Sequence, residues 1–123
     1  MIKAYKLYTG ADGNSHVQTG TVVEGQFNQA ASVRFQESPP HSFYEWHNAP
    51  TNQYVITLSG TLEFETQTGE TFILNPGEIL IATDTTGTAH KWRLIDDKPW
   101  QRVYVTFDQE NQANFIPDEQ PAG

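Results

Sequence analysis

The chain reads as an all-β protein, a barrel or sandwich folded as one domain. Helical periodicity is nearly absent along its 123 residues. Short runs rich in Val, Ile, Thr, Phe, Tyr and Trp alternate with turn residues instead. No segment is long enough to form a helix that covers a sheet, so the strands must cover one another.

In chain order, strands are expected at residues 4–8, 17–23, 32–37, 42–47, 53–59, 61–66, 70–74, 78–82, 90–96 and 100–107. Gly60 breaks one hairpin and Thr68-Gly69 makes the next. Asn75-Pro76-Gly77 is a turn with a mechanism, since Pro fixes φ and Gly supplies a positive φ. Asp96-Asp97-Lys98-Pro99 joins the last two strands. Residues 1–31 are read as N-terminal strands packing on a barrel core of residues 32–108. Residues 109–123 form a polar tail containing two prolines, expected to be loosely attached.

Composition bounds the function. With 37% hydrophobic and 12% aromatic residues the chain is globular rather than disordered. It has no cysteine, so disulfides and thiolate metal sites are excluded and any metal must be held by N and O ligands. A net charge of −8 with only 7 Lys+Arg argues against nucleic acid and against anionic membrane surfaces. The first residues lack the apolar core of a signal peptide, and no apolar run approaches membrane-spanning length, so a cytoplasmic protein is expected. The strand at 53–59 carries apolar residues on both faces, which leads to the expectation of a homodimer.

The chemistry concentrates between Glu45 and His90. Glu45 and His47 lie two apart, the spacing that sends both side chains, with Phe43, from one face of a strand. Tyr44 and Trp46 then point the other way. On the later strand His90, Trp92 and Leu94 share a face opposite Lys91 and Arg93, and the charged pair belongs outside. His47 and His90 are therefore candidate catalytic residues, and Glu45, His47, Gln53 and His90 a candidate ligand set. Two imidazoles and a carboxylate suit a divalent ion such as Fe, Mn, Zn or Ni. Gln53, Phe43, Trp92, Arg34 and Tyr104, with Leu62 and Phe64, are candidate walls of a small-molecule pocket. Arg34 and Arg102 are candidate anion anchors. Asp84-Thr85-Thr86-Gly87 is read as a turn capped by Asp84, and His16 and His41 are given no role.

These residues resemble the cupin superfamily, in particular its small single-domain bacterial members. The first cupin motif, G-x5-H-x-H-x3,4-E-x6-G, has its counterpart in Glu45-Trp46-His47, five residues, Gln53, six residues and Gly60. The second, G-x5-P-x-G-x2-H-x3-N, has its counterpart in the stretch from Gly77 to His90, where the Gly87–His90 spacing is kept. The resemblance spans residues 32–107 and implies a double-stranded β-helix, or jelly-roll, barrel. Departures are specific. Glu45 stands where the motif has its first histidine, Gln53 where it has glutamate, Thr85 where it has proline and Leu94 where it has asparagine. The interval after His47 is one residue longer. The resemblance implies a ligand set that keeps a single negative charge, moved to Glu45. Cupins include dioxygenases, isomerases, lyases and sugar-binding modules. Three readings therefore stay open: a metal-dependent enzyme, a metal-free binding or sensing protein, and a metal-free enzyme using His47 or His90 as acid or base.

Overall fold

The computed structural model describes residues 1–118. Its strands are β1 (Ile2–Thr9), β2 (Ser15–Val22), β3 (Ser32–Ser38), β4 (Phe43–His47), β5 (Gln53–Ser59), β6 (Leu62–Thr66), β7 (Thr71–Leu74), β8 (Ile79–Ala82), β9 (His90–Leu94), β10 (Trp100–Thr106) and β11 (Ile116–Pro117). A single turn of 3-10 helix, Glu110–Gln112, precedes β11. No helix among the described residues is long and apolar enough to cross a membrane.

The strands form two sheets. One has the order β11-β2-β1-β8-β5-β10-β3, the other β4-β9-β6-β7. Among the described residues only the β1–β8 pair is parallel. The inner faces meet in a core of Tyr5, Leu7, Val55, Leu62, Phe64, Phe72, Leu74, Leu80, Leu94 and Trp100. Its centre is an aromatic stack: Tyr5 on Phe72 at 4.7 Å and Phe72 on Phe64 at 5.0 Å between centroids. Each such side chain contributes roughly 1.5–3 kcal/mol of burial. At the β5–β6 turn, Gly60 has φ +100°, and a Cβ there would lie 3.0 Å from Pro99 O and Trp100 Cα, so only glycine fits without displacement.

Three features of the fold bear on the sequence reading. β1 and β2 belong to the larger sheet: Tyr5 and Leu7 turn into the core between the sheets, Ala4 is buried on the opposite face, and β1 pairs along β8. On β5 the purely apolar face (Tyr54, Ile56, Leu58) is the outer one, and the mixed face of Gln53, Val55 and Thr57 turns inward. The expected loose tail is bound over residues 109–118. There Asn114 N donates to Tyr54 Oη at 2.8 Å, its side chain bonds Val23, and β11 pairs with β2. Phe107 and Phe115 thereby cover part of the outer apolar face around Tyr54 and Ile81. The last five residues of the expected tail lie outside the described residues. Beyond that cover, Val33, Phe35 and Leu58 remain exposed.

One ionic clasp joins the two sheets. His16 on β2 contacts Glu70 Oε2 at 2.5 Å in the β6–β7 turn and Asp12 Oδ2 at 2.8 Å. Hydrogen bonds to Asp12 and then Glu70 raise the His16 pKa above its ordinary 6.5. A raised histidine pKa means that this clasp stabilises fully below pH 6.5 and is lost as pH rises through the folded-state value. Urea denaturation is therefore expected to show a loss of at most about 1 kcal/mol over that rise, a partly exposed pair being worth no more. In His16→Gln that step should vanish; an unchanged step would place its origin elsewhere.

Candidate functional site

The open end of the interface, between β3 and β10 on one sheet and β4 and β9 on the other, is a cleft of about 650 Å³. How each candidate residue reaches it follows from strand register. On β9 the expected parity is the one observed: His90 and Leu94 are buried and Arg93 is exposed, paired with Glu63.

On β4 the expected parity fails. Phe43 pairs with Arg93 and Tyr44 with Trp92, but His47 then pairs with His90, so the register shifts by one residue between Tyr44 and His47. Such a bulge sets two residues against one and re-aims the side chains after it. Before the bulge Tyr44 faces inward and Phe43 outward to the rim; after it His47 faces inward. Glu45 and Trp46 absorb the extra residue. Glu45 is consequently exposed, in an outer groove with Glu63, Glu65, Lys91 and Arg93, and Lys91 Nζ sits 4.7 Å from the Trp46 ring centroid. Glu45 is not brought to the histidines through its carboxylate. Its backbone carbonyl is what reaches the site, accepting from His47 Nδ1 at 2.7 Å.

His47 and His90 are 4.5 Å apart between ring centroids, edge to face. They line a small inner chamber with Gln53, Phe64, Ala82 and Trp100. That chamber shares His47, Gln53, Trp92 and Tyr104 with the outer cleft. Burial pushes the His47 imidazole below its ordinary pKa, against the raising effect of the Glu45 carbonyl, and nearby His90 pushes it further down. Gln53 is 7% exposed, and its side chain bonds to no described residue.

Behind His90 stands a residue that the sequence reading took for a turn cap. Asp84 is completely buried, and its Oδ2 accepts from His90 Nδ1 at 2.7 Å and from Ser15 Oγ at 2.8 Å. A carboxylate can only accept, so His90 donates its Nδ1–H to Asp84, and Nε2 is left unengaged by the pair. The surrounding backbone is shaped for this contact. A Cβ on Gly87 would fall 2.2 Å from Ser15 Oγ, so Gly87 is what lets the turn reach β2. Ala89, immediately before His90, has φ +92° and donates its N–H to Ser15 Oγ at 3.1 Å. Asn48 ties the chain after β4 to the same turn through the carbonyls of Asp84 and Gly87. Asp84 Oδ1 is fully buried without a partner among the described residues. The only sequence trace of this pair was an aspartate six residues before the histidine.

The second half of the cleft is aromatic and basic. Arg102 is 6% exposed and lies 3.8 Å over the Trp100 ring, while Arg34 lies 4.4 Å over Tyr104. Trp92 and Tyr104 line the cleft with both arginines, and Phe43 sits at its rim, 67% exposed. Leu62 is core rather than wall.

The expected ligand set does not fit a divalent ion. With Glu45 turned outward, the converging donors are two imidazoles and one amide. The nearest carboxylate, Asp84, is committed to His90 Nδ1 and Ser15. No group of three His, Asp or Glu among the described residues is placed to hold a metal.

No family model matches the chain, and no curated protein matches it in sequence. Solved structures match its fold. An uncharacterized conserved protein with a double-stranded β-helix domain from Klebsiella pneumoniae is 22% identical, with a TM-score of 0.51 over 93% of this chain and 92% of that one. The cupin domain of Drosophila melanogaster CENP-C is 13% identical, with a TM-score of 0.52 over 82% of this chain and 74% of that one. A DUF861 family protein from Thermotoga maritima is 20% identical, with a TM-score of 0.51 over 60% of this chain and 77% of that one. The likeness is one of fold: this chain is a single-domain double-stranded β-helix of the cupin type.

If Asp84 fixes the His90 tautomer, Asp84→Asn should redistribute the ring proton and destabilise the fold by about 1–3 kcal/mol, the usual cost of a broken buried charged hydrogen bond. Nitrogen-15 NMR of the imidazole reads this directly. An unchanged Nδ1–H tautomer in the variant would remove Asp84 from the site.

Proposed function

We propose that this cupin-fold protein binds a small, hydroxyl-bearing metabolite in the cleft between its sheets, and that His90, backed by Asp84, exchanges a proton with it. The observation that carries this reading is the buried Asp84–His90 pair, whose imidazole ends beside His47 and Gln53 where the cleft narrows. Structural histidines are common, but one held by a fully buried carboxylate at the end of a cavity has the arrangement of a general base.

The donor and acceptor pattern supports the ligand class. Both imidazoles spend Nδ1 on protein acceptors, His90 on Asp84 and His47 on the Glu45 carbonyl, so each offers Nε2 as an acceptor. Gln53 offers an amide that can donate. A hydroxyl or enol satisfies both: its proton goes to an imidazole and its oxygen accepts from Gln53. In a reaction, the proton would move from ligand oxygen or an activated carbon to His90 Nε2. The electron pair would stay on the ligand, and Asp84 would stabilise the imidazolium. Burial and the neighbouring His90 both disfavour protonation of His47, which opposes two adjacent cations at the site.

Saturation-transfer NMR against a panel of hydroxylated small metabolites tests this reading. The wild-type protein is expected to bind members of the panel that His90→Asn, still folded by circular dichroism, binds at least about tenfold more weakly, the equivalent of one buried hydrogen bond. A panel bound equally well by wild type and variant would contradict it.

A further inference from the structure

We infer that the ligand of this cleft carries a carboxylate, received by Arg102 Nη2 and the Tyr104 hydroxyl. The inference rests on the small-molecule reading above and adds its charge. Arg102 is the most buried cation of an acidic chain with 15 Asp+Glu against 7 Lys+Arg, yet it pairs with no carboxylate among the described residues. Its Nε donates to Tyr104 Oη at 3.0 Å, and Nη1 to Ser38 Oγ at 2.8 Å and Trp100 O at 3.1 Å. Nη2 donates to no described residue. Tyr104, accepting from Nε, keeps its own proton free to donate.

The register of β5 and β10 puts this group where it is. Their pairing shifts at Gln101/Arg102, so Arg102 stands opposite the inward-facing Thr57. No Asp or Glu among the described residues lines the cleft, whereas two of the three arginines, Arg34 and Arg102, do. A desolvated guanidinium without a counter-charge is costly. Here the stacking on Trp100 and three bonds to neutral groups offset only part of that cost. A ligand carboxylate supplies the missing negative charge, and the aromatic rings of Trp92 and Tyr104 suit a flat body between it and the histidines. The two free donors, Nη2 and the Tyr104 hydroxyl, match in number the two oxygens of a carboxylate.

The probes are 4-hydroxybenzoate and its neutral isostere 4-hydroxybenzamide, titrated at millimolar concentration into the full chain and followed by NMR shifts of Gln53, Trp92 and Arg102. The carboxylate is expected to bind saturably and at least about tenfold more tightly than the amide, the effect of one charge-assisted hydrogen bond. Arg102→Met should erase the preference. Tyr104→Phe, which keeps the ring and the fold, should reduce it several-fold. The amide binding as well as the carboxylate, with both weakened by His90→Asn, overturns the anion inference and leaves the pocket reading standing. A preference that survives Arg102→Met also overturns it. No shift at these residues with either probe overturns both.

Discussion

The hydrogen bond from His90 Nδ1 to the Asp84 carboxylate, 2.7 Å long and shut away from solvent, is the constraint around which the site is built. A carboxylate with no exposure is tolerated only where it is paired, and an unpaired one would be expelled or neutralised. Ser15 on β2 supplies the second bond to the same oxygen and ties the larger sheet to the turn that presents His90 on the smaller one. The neighbouring backbone conforms to that demand. Gly87 permits the approach to Ser15, and Ala89 accepts a left-handed conformation that costs about 1–3 kcal/mol. Strain gathered beside one side chain is the mark of a position over-determined by its surroundings.

From that anchor the cleft acquires a polarity along its length. Its inner end holds two imidazoles and an amide; its outer part holds a buried guanidinium among aromatic rings. The two ends are set by separate irregularities in strand pairing, at Tyr44/His47 between β4 and β9 and at Gln101/Arg102 between β5 and β10. Regular ladders would hold the two sheets together equally well. The departures from regularity are what aim His47 and accommodate Arg102, in keeping with the concentration of bulges at barrel rims and functional sites.

The all-β class and the strand positions were legible because period-two alternation and Gly or Pro turns act locally. So was the inward face of β9, where Lys91 and Arg93 leave no choice of side. The placement of Glu45 was not legible. Parity counting assumes an uninterrupted ladder, and one inserted residue reverses every orientation before it relative to those after it. What covers the outer face of β5 was not legible either: Tyr54 packs under Phe107 and the C-terminal segment, a contact that only the tertiary fold makes. Asp84 was hidden by its company, since Asp-Thr-Thr-Gly is a turn sequence wherever it occurs and only the tertiary contact with Ser15 and His90 gives the aspartate another task.

The claim on which the account stands is that the β4 bulge seats His47 against His90 and turns Glu45 away. Nuclear Overhauser contacts between assigned side-chain protons measure this most directly. With ring centroids 4.5 Å apart, strong cross-peaks between the His47 and His90 ring protons are predicted. The Glu45 methylene protons should show contacts to its outer-groove neighbours alone. Cross-peaks from those methylenes to the His90 ring, with none between the two imidazoles, would contradict it.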